Sequence, residues 1–176
     1  MTPVDPPVST GSILFTDLVG FTEYNEAVGD ARAVGVIDRQ RRAVDDRLVD
    51  LGDARVVKEI GDGLMLWFAS ATVGLRCSVA LLEDIDEIRA AGDFPLPVRM
   101  GLHHGESVVR GEDLIGRAVN VAARVSALAG PGELLVSEEA TLAAGDAALD
   151  VPLRPIGPVT VKGVPTPIWL NRVVRA

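Results

Sequence analysis

Two β-type runs around a Gly-Asp-Gly centre constrain this chain more than any other feature. Residues 54–60 (ARVVKEI) and 64–68 (LMLWF) flank Gly61-Asp62-Gly63. β-Branched and aromatic residues favour extended backbone, and Asp-Gly supplies the angles of a tight turn, so the segment predicts a hairpin. A hairpin is antiparallel, which argues against an all-parallel sheet.

Around this hairpin, strands alternate with helices. A first strand is expected at residues 12–16, a short helical piece at 22–28 broken by Gly29-Asp30, and a longer helix at 31–51. In that helix Ile37, Val44, Leu48 and Leu51 share one face, and Gly52 ends it. Further helices are expected at 71–91, 114–129 and 137–144. Strands are expected at 98–103, 107–109 and 134–136, and in a tail at 153–174 that turns at Lys162-Gly163-Val164-Pro165. No internal repeat is visible. The pattern predicts an α+β fold of the ferredoxin-like βαβ kind, a mixed sheet with helices packed on it. At 176 residues the chain reads as one domain, residues 11–176, behind a flexible Pro-rich lead-in at 1–10.

Charge narrows the function classes. A net charge of −8 and a pI near 4.7 exclude a non-specific binder of nucleic acid or of an anionic membrane. An anionic substrate would need a local cationic site or metal ions. The single Cys77 permits no intrachain disulfide, no basic-then-apolar leader opens the chain, and no apolar run is long enough to span a bilayer. The expectation is a cytoplasmic protein.

Candidate chemistry begins at Asp17, which ends the apolar run Ile13-Leu14-Phe15 just before Gly20 and a helix start. An acid there either caps the helix or holds a metal beside free N–H groups that receive phosphate. Asp62 is either a turn residue or a second carboxylate at a neighbouring strand end, where two acids repel unless a proton or cation lies between them. Oxygen donors of this kind suit Mg²⁺ or Mn²⁺. Asn120 and Arg124, four apart in an apolar helical stretch, form either a hydrogen-bonded interface pair or a donor pair for an oxyanion. Lys58 and Asp113 are ordinary surface charges when taken alone. His103 and His104 would face opposite sides of a strand and cannot share a metal. Neither a P-loop nor a dinucleotide fingerprint occurs.

Taken together, FTDLVGFT (15–22), VKEIGDG (57–63), MGLHHGE (100–106), GEDLIGRAVNVAARV (111–125) and VKG (161–163) resemble the class III nucleotidyl cyclases. The likeness is greatest to the compact bacterial (mycobacterial or actinobacterial-type) adenylate cyclase catalytic domains and runs from Ser12 to the last strand. It implies a βαββαβ core with a mainly antiparallel sheet. It also implies conversion of ATP to 3′,5′-cyclic AMP and pyrophosphate with two divalent metal ions, Mg²⁺ or Mn²⁺. The metal ligands would be Asp17, Asp62 and the carbonyl of Leu18, and backbone groups of Phe21 and Thr22 would contact the triphosphate. Lys58 and Asp113 would select adenine, Asn120 and Arg124 would stabilise the transition state, and Lys162 would contact phosphate. Guanylate cyclases carry Glu and Cys at the two base-reading positions. A head-to-tail homodimer is implied, with Asp17 and Asp62 of one chain facing Lys58, Asp113, Asn120 and Arg124 of the other. The segment between Gly105 and Asp113 is short beside the arm many relatives use to grip a partner, which implies a weak dimer. The rival readings are a guanylate cyclase and a catalytically silent nucleotide-binding or dimerisation module.

Overall fold

The computed structural model describes residues 6–174. Its elements run β1 (Val8–Leu18), α1 (Phe21–Val28), α2 (Asp30–Leu48), β2 (Ala54–Ile60), β3 (Gly63–Phe68), α3 (Ala71–Ala90), β4 (Val98–Arg110) and β5 (Asp113–Ile115). Then come α4 (Arg117–Leu128), β6 (Leu134–Ser137), α5 (Glu138–Ala144), β7 (Leu153–Val159) and β8 (Ile168–Val173). Seven strands lie in the order β2-β3-β1-β4-β6-β8-β7, and β5 extends β4. Only the β4–β6 pairing is parallel among the described strands, so the sheet is mixed and mainly antiparallel. The α+β layout agrees with the expectation from sequence, including the hairpin's antiparallel register of Ile60 opposite Gly63.

Strand alternation sorts the side chains onto two faces. Leu14, Leu18, Leu64, Leu66, Phe68, Met100 and Leu102 are buried with residues of α2, α3 and α5. Ile13 and Met65 point the other way and pack with Ala118, Val119 and Ala122 of α4. Farther along the same face, Val121 and Val125 of α4 meet Ile168, Leu170, Val161 and Val164. Helix α4 lies directly on β4 because Gly101 has no side chain: a Cβ there would come 2.1 Å from the Ser126 nitrogen. No helix among the described residues is long and apolar enough to cross a membrane.

Four local expectations need correction. The helix expected to run to residue 51 and end at Gly52 stops at Leu48, and the turn that follows carries Leu51 into the Ala54 strand start, where the Ala54 N–H donates to the Leu51 carbonyl at 3.1 Å. The first strand begins at Val8, inside the expected lead-in, because β4 continues far enough to pair Val8 with Val108; residues 1–5 lie outside the described residues. The runs at 98–103 and 107–109 are one strand, carried through Gly105-Glu106 by pairing with Gly11 and Thr10. The helix expected from residue 114 begins at Arg117, since Asp113–Ile115 pair with Arg110, Val109 and Val108. Gly116, at φ 127°, makes the break between strand and helix.

Candidate active site

β1 delivers Asp17 and Leu18 to the end of the sheet, and the β2–β3 turn delivers Asp62 beside them. Thr16 is the last β1 residue opposite β3, paired with Leu64. Two residues on, the Leu18 amide donates to Asp62 Oδ2 at 3.1 Å, so the carboxylate continues where the strand ladder stops. Burial, and to a smaller degree the Asp17 charge, push the Asp62 carboxyl above its usual range. Two carboxylates and the Leu18 carbonyl are an all-oxygen donor set, and a divalent cation between the acids would relieve their repulsion. These residues therefore fit Mg²⁺ or Mn²⁺.

Arg99 carries no motif, and sequence reasoning missed it. It lies directly opposite Asp17 in the β1–β4 register and donates from Nε to Asp17 Oδ2 at 2.6 Å. Two clefts meet at this pair. One, of about 350 Å³, is lined by Asp17, Leu18, Gly20, Phe21, Thr22 and Asp62 among others. Here Gly20, at φ 81°, opens α1, whose first-turn N–H groups have no partner within the helix. The other cleft, of about 360 Å³, brings Asp17 together with Lys58, Ile60, Val119 and Asn120.

Lys58 reaches that cleft through a β-bulge. Residues 54 and 56 face the α2–α3 side, with Ala54 opposite Phe68 and Val56 opposite Leu66. Regular alternation would send residue 58 the same way. The register shift between Val56 and Lys58 places Lys58 opposite Met65, on the α4 face, with Arg55 opposite Trp67 on that face too. Lys58 Nζ then donates to Asp113 at 2.8 Å and holds that carboxyl below its ordinary range. Arg55 secures the same hairpin: it donates to the Glu112 carbonyl at 2.8 Å while its guanidinium lies over the Trp67 ring, 5.8 Å from the centroid.

Asn120 borders the second cleft, whereas Arg124, one turn on, is exposed and borders neither. Lys162 is also exposed, on the turn after β7, but its neighbours Val161 and Val164 anchor that turn against Val121 and Val125 of α4. Asp17, Leu18, Phe21, Thr22 and Asp62 are thus gathered in one place, and Lys58, Asp113 and Asn120 next to it. Arg124 and Lys162 stand outside both groups. The histidines face opposite sides as expected: His103 Nδ1 lies 2.8 Å from Ser137 Oγ, and His104 Nδ1 lies 3.0 Å from Ser12 Oγ.

This arrangement of strands and helices is shared with known proteins. The chain belongs to the class III adenylate and guanylate cyclase catalytic domain family, whose sequence profile matches residues 5–171. A pH-sensitive adenylate cyclase of Mycobacterium tuberculosis is 34% identical over 166 residues, 93% of this chain and 40% of that protein. The adenylyl cyclase CyaB of P. aeruginosa superposes with a TM-score of 0.84 at 22% identity, over 98% of this chain and 97% of that one. The guanylate cyclase domain of RhGC from Catenaria anguillulae, in complex with GTP, gives 0.82 at 17% identity over 96% and 98%. At these identities the superpositions bear on the fold. The chain spans about 40% of the length of several curated relatives that it matches.

Proposed function

We propose that the protein is an adenylate cyclase, forming 3′,5′-cyclic AMP and pyrophosphate from ATP at sites shared between two head-to-tail copies of the chain. The observation that carries the choice of ATP is the Lys58–Asp113 pair, 2.8 Å apart and half-exposed. A cationic donor beside a carboxylate acceptor complements an edge with a ring-nitrogen acceptor next to an exocyclic amine, as adenine has.

Asp17, Asp62 and the Leu18 carbonyl would hold two divalent ions, which when bound lower the pKa of the ribose 3′-hydroxyl and neutralise the leaving pyrophosphate. The chain's own groups position the rest. N–H groups at Phe21 and Thr22 receive triphosphate oxygens, and Lys162 adds a cation. The 3′-oxygen attacks the α-phosphorus of its own molecule, a P–O bond forms as the bond to the bridging oxygen breaks, and the proton leaves to water or to a substrate phosphate. Because the reaction is intramolecular, the site has only to hold one conformer. Asn120 orients the ribose, and Arg124 faces the charge developing on the α-phosphate. The exposure of Arg124 supports a shared site, since a guanidinium serving only its own chain has no need to stand outside both clefts.

Purified protein given Mn²⁺ and either ATP or GTP tests this reading. The expected result is cyclic AMP in excess of cyclic GMP, abolished in Asp17→Ala. Cyclic GMP in excess would make it a guanylate cyclase, and nucleotide binding with no cyclic product would make it a silent module.

A further inference from the structure

Helix α2 buries four side chains: Ala33, Val36, Gln40 and Val44. Three are apolar; the fourth is an amide with 0% exposure. A buried amide left without partners is destabilising, so its partners say what it is for. Gln40 Nε2 donates to the Asp62 carbonyl at 2.9 Å. Its Oε1 lies 3.5 Å from Thr16 Oγ1, and Thr16 Oγ1 accepts from the Leu64 N–H at 3.2 Å. These directions are mutually required. The Asp62 carbonyl can only accept, so the amide nitrogen faces it. The Thr16 hydroxyl, already accepting, has its hydrogen free for Oε1.

One side chain therefore reaches from the far side of the sheet to the turn of Asp62 and to Thr16, the residue before Asp17. The Asp62 residue is then held at two points, its carbonyl by Gln40 and its carboxylate by the Leu18 N–H. We propose that Gln40 is a positioning residue for the cation site, fixing the Asp62 turn so that its carboxylate meets Asp17 at a set separation. The proposal rests on the reading of Asp17 and Asp62 as cation ligands.

Partners that orient metal ligands commonly change metal affinity by roughly 10–100-fold when removed. The test is Gln40→Leu, which keeps the packing and removes the amide. Mn²⁺ affinity is measured by the spin resonance of free Mn²⁺ in the presence of 3′-deoxy-ATP, which lacks the attacking hydroxyl. The expected result is affinity weakened about 10-fold, with the Mn²⁺ midpoint for ATP turnover moved by the same factor and kcat at saturating Mn²⁺ little changed. Thr16→Val should move the midpoint less: it removes Gln40's longer contact and the bond from the Leu64 N–H, but leaves the Gln40 bond to the Asp62 carbonyl in place. A lower Tm with unchanged Mn²⁺ affinity would mean that Gln40 merely stabilises the fold, and would overturn the proposal. Should Gln40→Leu fail to fold, Gln40→Met carries the same measurement. Asp62→Asn separates the two layers: if it leaves Mn²⁺ affinity intact, the underlying reading fails, whereas if it abolishes binding and Gln40→Leu does nothing, only the present inference fails.

Discussion

At the Asp17–Asp62 end the chain supplies its own partners: Arg99 for Asp17, the Leu18 amide for the Asp62 carboxylate, and Gln40 for the Asp62 carbonyl. On α4 the arrangement is the reverse. Val119 and Ala122 are spent on the sheet, while Asn120 and Arg124 are left exposed, beside an Ile60 that is itself 48% exposed. The difference teaches that one end of the site is held by partners within the chain, whereas the other leaves its polar side chains at the surface. In the reading proposed above, those side chains meet the acidic end of a second copy.

The largest effects should come from the acidic end. Asp17→Ala or Asp62→Ala should lower cyclic AMP formation by roughly 10³-fold or more, since each removes a charge on which the cations depend. A turnover assay at saturating Mn²⁺ checks this, and near-normal rates would break the comparison at its stronger half. Arg124→Ala should cost about 10²–10³ in kcat with little change in Tm, because the residue is exposed and in the proposed site faces developing charge. A drop in Tm to match would make Arg124 a structural residue instead.

Base choice sits between the two ends. Lys58→Glu combined with Asp113→Cys should reduce the ATP-over-GTP ratio of kcat/KM by about 10–100-fold, the scale of one or two lost hydrogen bonds to charged groups. Arg55→Met, which loosens the Glu112 carbonyl, should shift that ratio in the same direction by only a few-fold. The ion pair itself is half-exposed and contributes no more than about 1 kcal/mol to stability, so thermal melts should barely register its loss.

The smallest effect on activity concerns His103, which lies away from both clefts. Burial lowers its pKa to about 4, from an ordinary value of 6.5. The folded state thus binds the proton more weakly than the unfolded chain. Its neutral form contributes full stability above about pH 6.5, and this is lost as pH falls from there toward 4. Unfolding free energies measured across that window should fall by a few kcal/mol in the parent and less steeply in His103→Phe; parallel curves would contradict the assignment.

Legibility in sequence followed the range over which each feature is determined. The hairpin and the helices at 22–28 and 71–91 are encoded locally, and they lie within a residue or two of where periodicity put them. Asp17 and Asp62 were visible because each stands at an abrupt change of pattern. Gln40 was not, because it is a polar residue on the buried stripe of a polar helix, and of the apolar face Ile37, Val44, Leu48 and Leu51 only Val44 lies on that stripe. Arg99 depends on a pairing partner 82 residues away, which no local pattern specifies. The bulge that turns Lys58 toward α4 leaves no mark in Val56-Val57-Lys58, since an extended run reads alike with or without one extra residue. The short pairing of β5 with β4 overrode an Asp-Leu-Ile segment that by composition extends the following helix.

The central claim is that the acidic end of one copy is completed by α4 of another. Mixing two inactive variants, Asp17→Ala and Arg124→Ala, tests it most directly. In a head-to-tail pair every mixed dimer has one site with both lesions and one with neither, so random mixing should restore about a quarter of the parent's cyclic AMP formation. A mixture no more active than its components would place Asp17 and Arg124 of a single chain in the same site and contradict the account.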